Sequence, residues 1–189
     1  METRSIMIVG VGGQGTLLAS RILGNAVISQ GYDVKVSEVH GMSQRGGSVV
    51  TYVRYGDKVH SPIIDKGGAD MILAFELLEA KRALPFLRKD GKIIVNTQEI
   101  DPMPVIIGAA EYPCEIEKEL KEKADTTAVN ALALAKEAGN AKAVNVVLIG
   151  VMAKNWDIPY EVWTDTIRNT VPEKFLEINL KAFELGYNS

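Results

Sequence analysis

Cysteine is almost absent from this chain: Cys114 is the only one in 189 residues. A disulfide framework within the chain is therefore excluded, and so is a zinc or iron–sulfur site held by its own cysteines. Histidine is nearly as scarce. His40 and His60 have no carboxylate or cysteine at ligand spacing, so no metal site is expected. Long apolar runs are missing as well. Nothing approaches the roughly 18 residues needed to cross a bilayer. The opening Met1-Glu2-Thr3-Arg4 enters a strand pattern at once, without a signal-peptide core. A cytoplasmic chain with no membrane contact is expected. Charge of one sign is not concentrated anywhere: the net charge is −3 and the pI about 5.5. A nucleic-acid partner, which needs a basic patch, is not expected. No repeat and no Pro- or Gly-rich linker divides the sequence, so residues 1–189 are expected to form a single domain.

What the chain does have is a glycine cluster in an informative setting. Gly10-Val11-Gly12-Gly13-Gln14-Gly15 follows the apolar run Ile6 to Val9 and precedes a helical pattern from Thr16 to Gln30. Strand, glycine turn and helix together can hold a phosphate, because the first amides of a helix lack intrahelical partners and face the anion. On this reading Gly10 permits the turn, Gly12 lets a pyrophosphate approach the backbone, and Gly15 lets the helix pack closely. A tight turn with no ligand is the other reading, since glycine also serves wherever φ must be positive. Gln14 places a polar side chain at the helix start, which is unusual for a nicotinamide site that relies on backbone alone. No Walker lysine follows, which disfavours nucleotide hydrolysis. Val34, Val36 and Val39 then alternate as a strand, so residues 4–38 read as a βαβ unit with two parallel, neighbouring strands. Glu38 ends that strand. It either holds ribose hydroxyls or is a polar strand end.

A second glycine-rich stretch, His40 to Ser48, leaves the same edge. Ser43, Gln44 and Arg45 supply donors between glycines, with Gly46 following. Arg45 fits a bidentate fork on a phosphate or carboxylate, or else ties its own loop to a neighbouring carboxylate. His40 suits acid–base work only if it lies in a cleft, and Cys114 has no histidine near it in sequence. The residues thus offer a binding site without a convincing catalytic set.

The remaining pattern alternates strands and helices. Val49–Tyr55 with Val59–Ile63 reads as a hairpin, which makes the sheet mixed. Met71–Phe75, Lys92–Val95 and Val105–Ile107 read as strands, and Glu76–Leu84 as a helix stopped by Pro85. Residues 111–123 carry five Glu and three Lys and read as a solvated, partly helical surface. Thr127–Ala138 reads as a helix ended by Gly139. Val144, Val147, Leu148 and Val151 mark a buried helical face on which Gly150 implies close packing. Two more helices follow Asp157 and Pro172. The expected class is α/β: a Rossmann-like three-layer fold with a mostly parallel, mixed sheet and a helical C-terminal third.

Taken together, Gly10-Val11-Gly12-Gly13-Gln14-Gly15 and Glu38-Val39-His40-Gly41-Met42-Ser43-Gln44-Arg45-Gly46-Gly47-Ser48-Val49 closely resemble the gamma subunit, or gamma domain, of the 2-oxoacid:ferredoxin oxidoreductases. The His-Gly-Met-Ser-Gln-Arg-Gly-Gly form looks most like the small subunits of the indolepyruvate branch. The resemblance covers essentially the whole chain. It implies oxidative decarboxylation of a 2-oxoacid, here an aryl pyruvate, on thiamine diphosphate. Iron–sulfur clusters pass the electrons to ferredoxin, and coenzyme A captures the acyl group. It also implies that thiamine diphosphate and the clusters belong to a large partner subunit, in accord with the single Cys114. Gly12, Gly13, Gln14 and Gly15 would meet the diphosphate of coenzyme A, and Ser43, Gln44 and Arg45 would line the crevice toward the partner's active site. Two readings of other classes remain: a free-standing NAD(P)- or flavin-binding oxidoreductase using Glu38, and a ligand-sensing protein with no enzyme partner.

Overall fold

A computed structural model describes residues 2–41 and 46–189. Its spine is a six-stranded sheet: β1 (Arg4–Val11), β2 (Asp33–His40), β3 (Ser48–Gly56), β4 (Ala69–Ala74), β5 (Leu87–Asn96) and β6 (Asp125–Val129), in the order β2-β3-β1-β4-β5-β6. β3 runs antiparallel to both of its neighbours, and the β1–β4, β4–β5 and β5–β6 pairs are parallel. The sheet is therefore mixed and mostly parallel, as expected. β1 and β4 are apolar on both faces because helices cover both faces of a parallel sheet. Ile6, Ile8, Met71 and Leu73 point into one core. Met7, Val9, Ile72 and Ala74 point into the other.

The helical layers are unequal. The first core is closed by α1 (Thr16–Ser29), α5 (Ala131–Ala138), α6 (Val144–Lys154), α7 (Tyr160–Thr170) and α8 (Leu176–Tyr187). The second is closed by α2 (Leu77–Ala83) and α4 (Ile116–Lys123). A further short helix, α3 (Met103–Ile106), packs in neither core. No helix among the described residues is long and apolar enough to cross a membrane.

Four expectations need correction. β1 and β2 are parallel but not neighbours, because β3 lies between them. The stretch joining β2 to β3 is too short for a crossover helix, so the two strands form the hairpin, and α1 spans β3 to link β1 with β2. Val59–Ile63 is not a strand. That segment is held by side chains: Arg54 Nη1 donates to the carbonyls of Ser61 and Ile63, both at 3.0 Å, and Val59 N–H donates to Asp33 Oδ2 at 2.8 Å. Val105–Ile107 is not a strand either: Val105 and Ile106 end the short helix α3 and Ile107 caps it, since Pro102 and Pro104 preset the first turn and its bonds are local. Lastly, Thr127 lies in β6. The helix begins only at Ala131, where Asn130 caps it by accepting from Ala133 N–H at 3.0 Å.

Gly150 does mark close packing. A methyl there would lie 2.2 Å from the Phe183 carbonyl oxygen of α8, and one on Gly186 would lie 2.1 Å from the Val147 carbonyl oxygen of α6. The obstacle is backbone in both cases, so no rotamer change can relieve it. Gly150→Ala is expected to lower stability by about 3 kcal/mol, the upper end of the usual overpacking cost. The check is the urea midpoint, with the slope unchanged.

Candidate functional site

α1 and α2 leave the carboxyl ends of β1 and β4 on opposite faces of the sheet, because the strands before them feed opposite layers. Such a switch point opens a crevice outside the strand ends. The glycine loop sits there, and the structure shows how each of its residues is used.

Gly10 lies inside β1. A methyl on it would be 2.9 Å from both Gln14 Oε1 and Phe75 Cβ, so its smallness admits Gln14 rather than making the turn. Gln14 is committed to the fold: its Oε1 accepts from Val11 N–H at 2.7 Å, and its Nε2 donates to the Phe75 carbonyl at 3.0 Å. Gly12 joins the two glycine stretches. Its N–H donates to the Gly47 carbonyl at 2.8 Å, and its carbonyl accepts from Gly46 N–H at 3.3 Å. Gly13, with φ of 105°, faces open space. Gly15, with φ of 86°, is the N-cap of the 14-residue α1, and a methyl there would stand 2.7 Å from Asn145 Nδ2.

The amides of Gly13, Gly15, Thr16 and Leu17 have no protein acceptor among the described residues. The first turn of α1 also carries no acidic residue. Four such donors at the positive end of a helix, with nothing negative in that turn, have the chemistry that suits an anion. A cleft of about 480 Å³ opens over it, lined by Gly12, Gly13, Gly15, Thr16, Leu17, Glu38, His40 and Val49. Glu38 thus shares a cleft with the glycine loop. Its exposed carboxylate has one long contact, accepting from Thr51 Oγ1 at 3.5 Å. His40 is exposed, with Nδ1 3.2 Å from the Gly41 carbonyl oxygen. On the other side of the loop a second cleft of about 420 Å³ is bordered by Gln98, Leu132 and Lys142. Ser43, Gln44 and Arg45 lie outside the described residues.

Sequence reasoning missed Asn96 and Asn145. Asn96 is fully buried at the end of β5. It donates to the Phe75 carbonyl at 3.1 Å and accepts from Ala131 N–H, the first residue of α5, at 3.1 Å. Asn145, buried at the start of α6, donates to the Gly15 carbonyl at 3.3 Å. Neither has a local signal, because each partner lies far away in the chain. Among the described residues, no group of three His, Cys, Asp or Glu is placed to hold a metal.

Residues 5–189 match the family model described as pyruvate ferredoxin/flavodoxin oxidoreductase. The chain belongs to this family. Within the pyruvate ferredoxin/flavodoxin oxidoreductase family it is similar to the indolepyruvate oxidoreductase subunit IorB of Pyrococcus horikoshii, with 45% identity over 98% of this chain and 95% of that protein. Among solved structures, the gamma subunit of a keto/oxoacid ferredoxin oxidoreductase from Geobacter sulfurreducens aligns with a TM-score of 0.73 at 26% identity, over 98% of this chain and 96% of that one. A 2-oxoglutarate:ferredoxin oxidoreductase from Magnetococcus marinus, solved with 2-oxoglutarate, coenzyme A and succinyl-CoA, shares the fold. Its TM-score is 0.75 at 17% identity, over all of this chain and 31% of that one. The family resemblance read from the two glycine stretches is thereby established.

Gln14→Ala is expected to destabilise the protein by about 1–2 kcal/mol, the cost of leaving the buried Val11 amide without its acceptor. Thermal unfolding of the variant checks this. A ligand contact with no part in the fold would leave stability unchanged.

Proposed function

We propose that this chain is the small subunit of an indolepyruvate ferredoxin oxidoreductase, acting only in complex with a large subunit. The observation that carries the reading is the end-to-end identity of 45% to a subunit of that name. The overall reaction cleaves the bond between the carboxylate and the keto carbon of an aryl pyruvate. Carbon dioxide leaves, the acyl group passes to the thiol of coenzyme A, a proton is released, and an electron pair goes to ferredoxin. Thiamine diphosphate and iron–sulfur clusters are assigned to the large subunit, the first from the family resemblance alone and the second also because one exposed cysteine cannot hold a cluster here.

Coenzyme A supplies the acyl-accepting thiol, and its diphosphate suits the cradle at the glycine loop. Gly13, Gly15, Thr16 and Leu17 would donate backbone hydrogen bonds to the diphosphate oxygens, while Gly10, Gly12 and Gln14 hold the loop in shape. Glu38 and His40 bound the same cleft, where a carboxylate can accept from ribose hydroxyls. Gly46 closes the side facing the second stretch through its bond to Gly12. Ser43, Gln44 and Arg45 would extend the crevice toward the partner's active site. Residues 1–189 act as one domain on this reading, in the cytoplasm. The free-standing NAD(P)- or flavin-dependent alternative draws on Glu38, whose place beside the glycine loop also suits a dinucleotide ribose.

Reconstitution separates the two. This chain is mixed with the large subunit, and reduction of ferredoxin or a viologen dye is followed with coenzyme A and indolepyruvate, pyruvate or 2-oxoglutarate. Activity should require both chains and be greatest with indolepyruvate. Nicotinamide or flavin binding and turnover by this chain alone would overturn the proposal. A second expectation concerns Leu17→Asp. An acid in the first turn of α1 complements the helix dipole, so stability should hold or rise by about 0.3–1 kcal/mol. The same carboxylate repels a diphosphate, so KM for coenzyme A should rise about tenfold, equivalent to about 1.4 kcal/mol.

A further inference from the structure

The segment between β5 and α4 is stapled at both ends to one buried carboxylate. Glu76, 1% exposed at the N-cap of α2, accepts from Ile100 N–H at 3.1 Å and from the Tyr112 hydroxyl on the same oxygen; its other oxygen accepts from Glu79 N–H. Tyr112 in turn accepts from Leu78 N–H at 3.2 Å. Burial and the neighbouring Glu76 push the Tyr112 hydroxyl well above the usual phenol range, so it remains a donor. Between these staples the backbone bonds are local, running from Val105, Ile106, Ile107 and Ala109 back to Pro102, Met103 and Pro104. The result is a compact loop whose ends are fixed and whose middle projects.

Its tip is apolar. Met103, Ile106 and Ile107 are 64%, 64% and 68% exposed, more than any other large apolar side chain among the described residues. Single exposed apolar residues are ordinary, but three within about one turn form a patch that marks an interaction surface. The charge carried by the loop has one sign: residues 99–112 hold Glu99, Asp101 and Glu111 and no Lys or Arg, and Arg82, which lines the neighbouring cleft, is paired with Glu79 at 2.6 Å. The loop also borders the candidate site. Met103 and Ile106 line a cleft of about 410 Å³ together with Val11, Gly46 and Gly47.

We propose that Met103, Ile106 and Ile107 anchor this chain on the large subunit, through an apolar surface of that subunit rimmed by lysine or arginine. The inference rests on the complex proposed above. A second copy of this chain is the wrong occupant, because a two-fold contact would bring the acidic rim against its own equivalent. A basic-rimmed apolar face satisfies both features, and docking here would set the partner beside the glycine loops.

The test is the dissociation constant between the two full-length subunits, with wild type, the double variant Ile106→Asp/Ile107→Asp, Asp101→Lys, and Phe175→Asp as a control at an exposed apolar position elsewhere. The double variant should raise Kd by at least about tenfold, as expected for central anchors. Its thermal unfolding and its kcat at saturating large subunit should be unchanged. Asp101→Lys should weaken binding severalfold at low salt and less at high salt, and Phe175→Asp should have no effect. Equal affinity for wild type and the double variant would overturn this inference alone. So would an unchanged complex with a raised KM for ferredoxin, or a wild-type dimer that the double variant abolishes. Failure of the wild-type chain to bind the large subunit at all would overturn both this inference and the proposed function.

Discussion

The carbonyl of Phe75 is the point on which the functional end of the molecule depends. It accepts from the side-chain amides of Gln14 and Asn96, while the Phe75 amide donates to the Val9 carbonyl. Three parallel strand ends are thereby held in one polar cluster, and Asn96 extends it to the first residue of α5. Strand ends at a switch point would otherwise present unpaired carbonyls and amides to a partly dry crevice, at a cost comparable to a lost hydrogen bond for each. Here two side-chain amides satisfy those groups, and the glycine loop inherits a fixed position.

This arrangement divides the labour within the loop. Side chains and the Gly12 and Gln14 amides are used internally, and the amides of Gly13, Gly15, Thr16 and Leu17 have no acceptor among the described residues. Gly13 and Gly15 both hold positive φ, and Asn145 Nδ2 restrains the Gly15 carbonyl by donating to it at 3.3 Å. On the proposed reading, backbone donors fixed by the fold would cost little conformational entropy on binding a ligand. The same economy suits a subunit that binds and presents a group whose chemistry is completed by another chain.

The uneven layering has a physical origin too. The face covered by α1, α5, α6, α7 and α8 carries the larger core, and the backbone contact at Gly150 and Gly186 draws α6 and α8 close together. The opposite face is closed by two shorter helices, α2 and α4, with Ile64, Leu84, Phe86 and Tyr112 filling in beside them. α2 carries the buried Glu76, whose carboxylate holds the projecting 100–112 loop. Thin cover on that face leaves room for an excursion anchored by Ile100 and Tyr112 whose tip, Met103, Ile106 and Ile107, stays exposed.

Local periodicity and glycine placement in the sequence were enough for the α/β class, α1, β4, α2, the Gly139 cap, the Gly150 contact and the family. Each of these depends on residues close together in the chain or on a specific string. What depends on distant partners was not legible. The place of β3 between β1 and β2, the conversion of Val59–Ile63 into a side-chain-held loop, and the roles of Asn96 and Asn145 all follow from contacts between far-separated residues. The dual use of the glycine loop is the clearest case. Its composition alone implied an anion site, but only the approach of Phe75, Gly47 and Asn145 decided which groups are spent on the fold and which stay free, because hydrogen-bond satisfaction belongs to the folded neighbourhood and not to the string of residues.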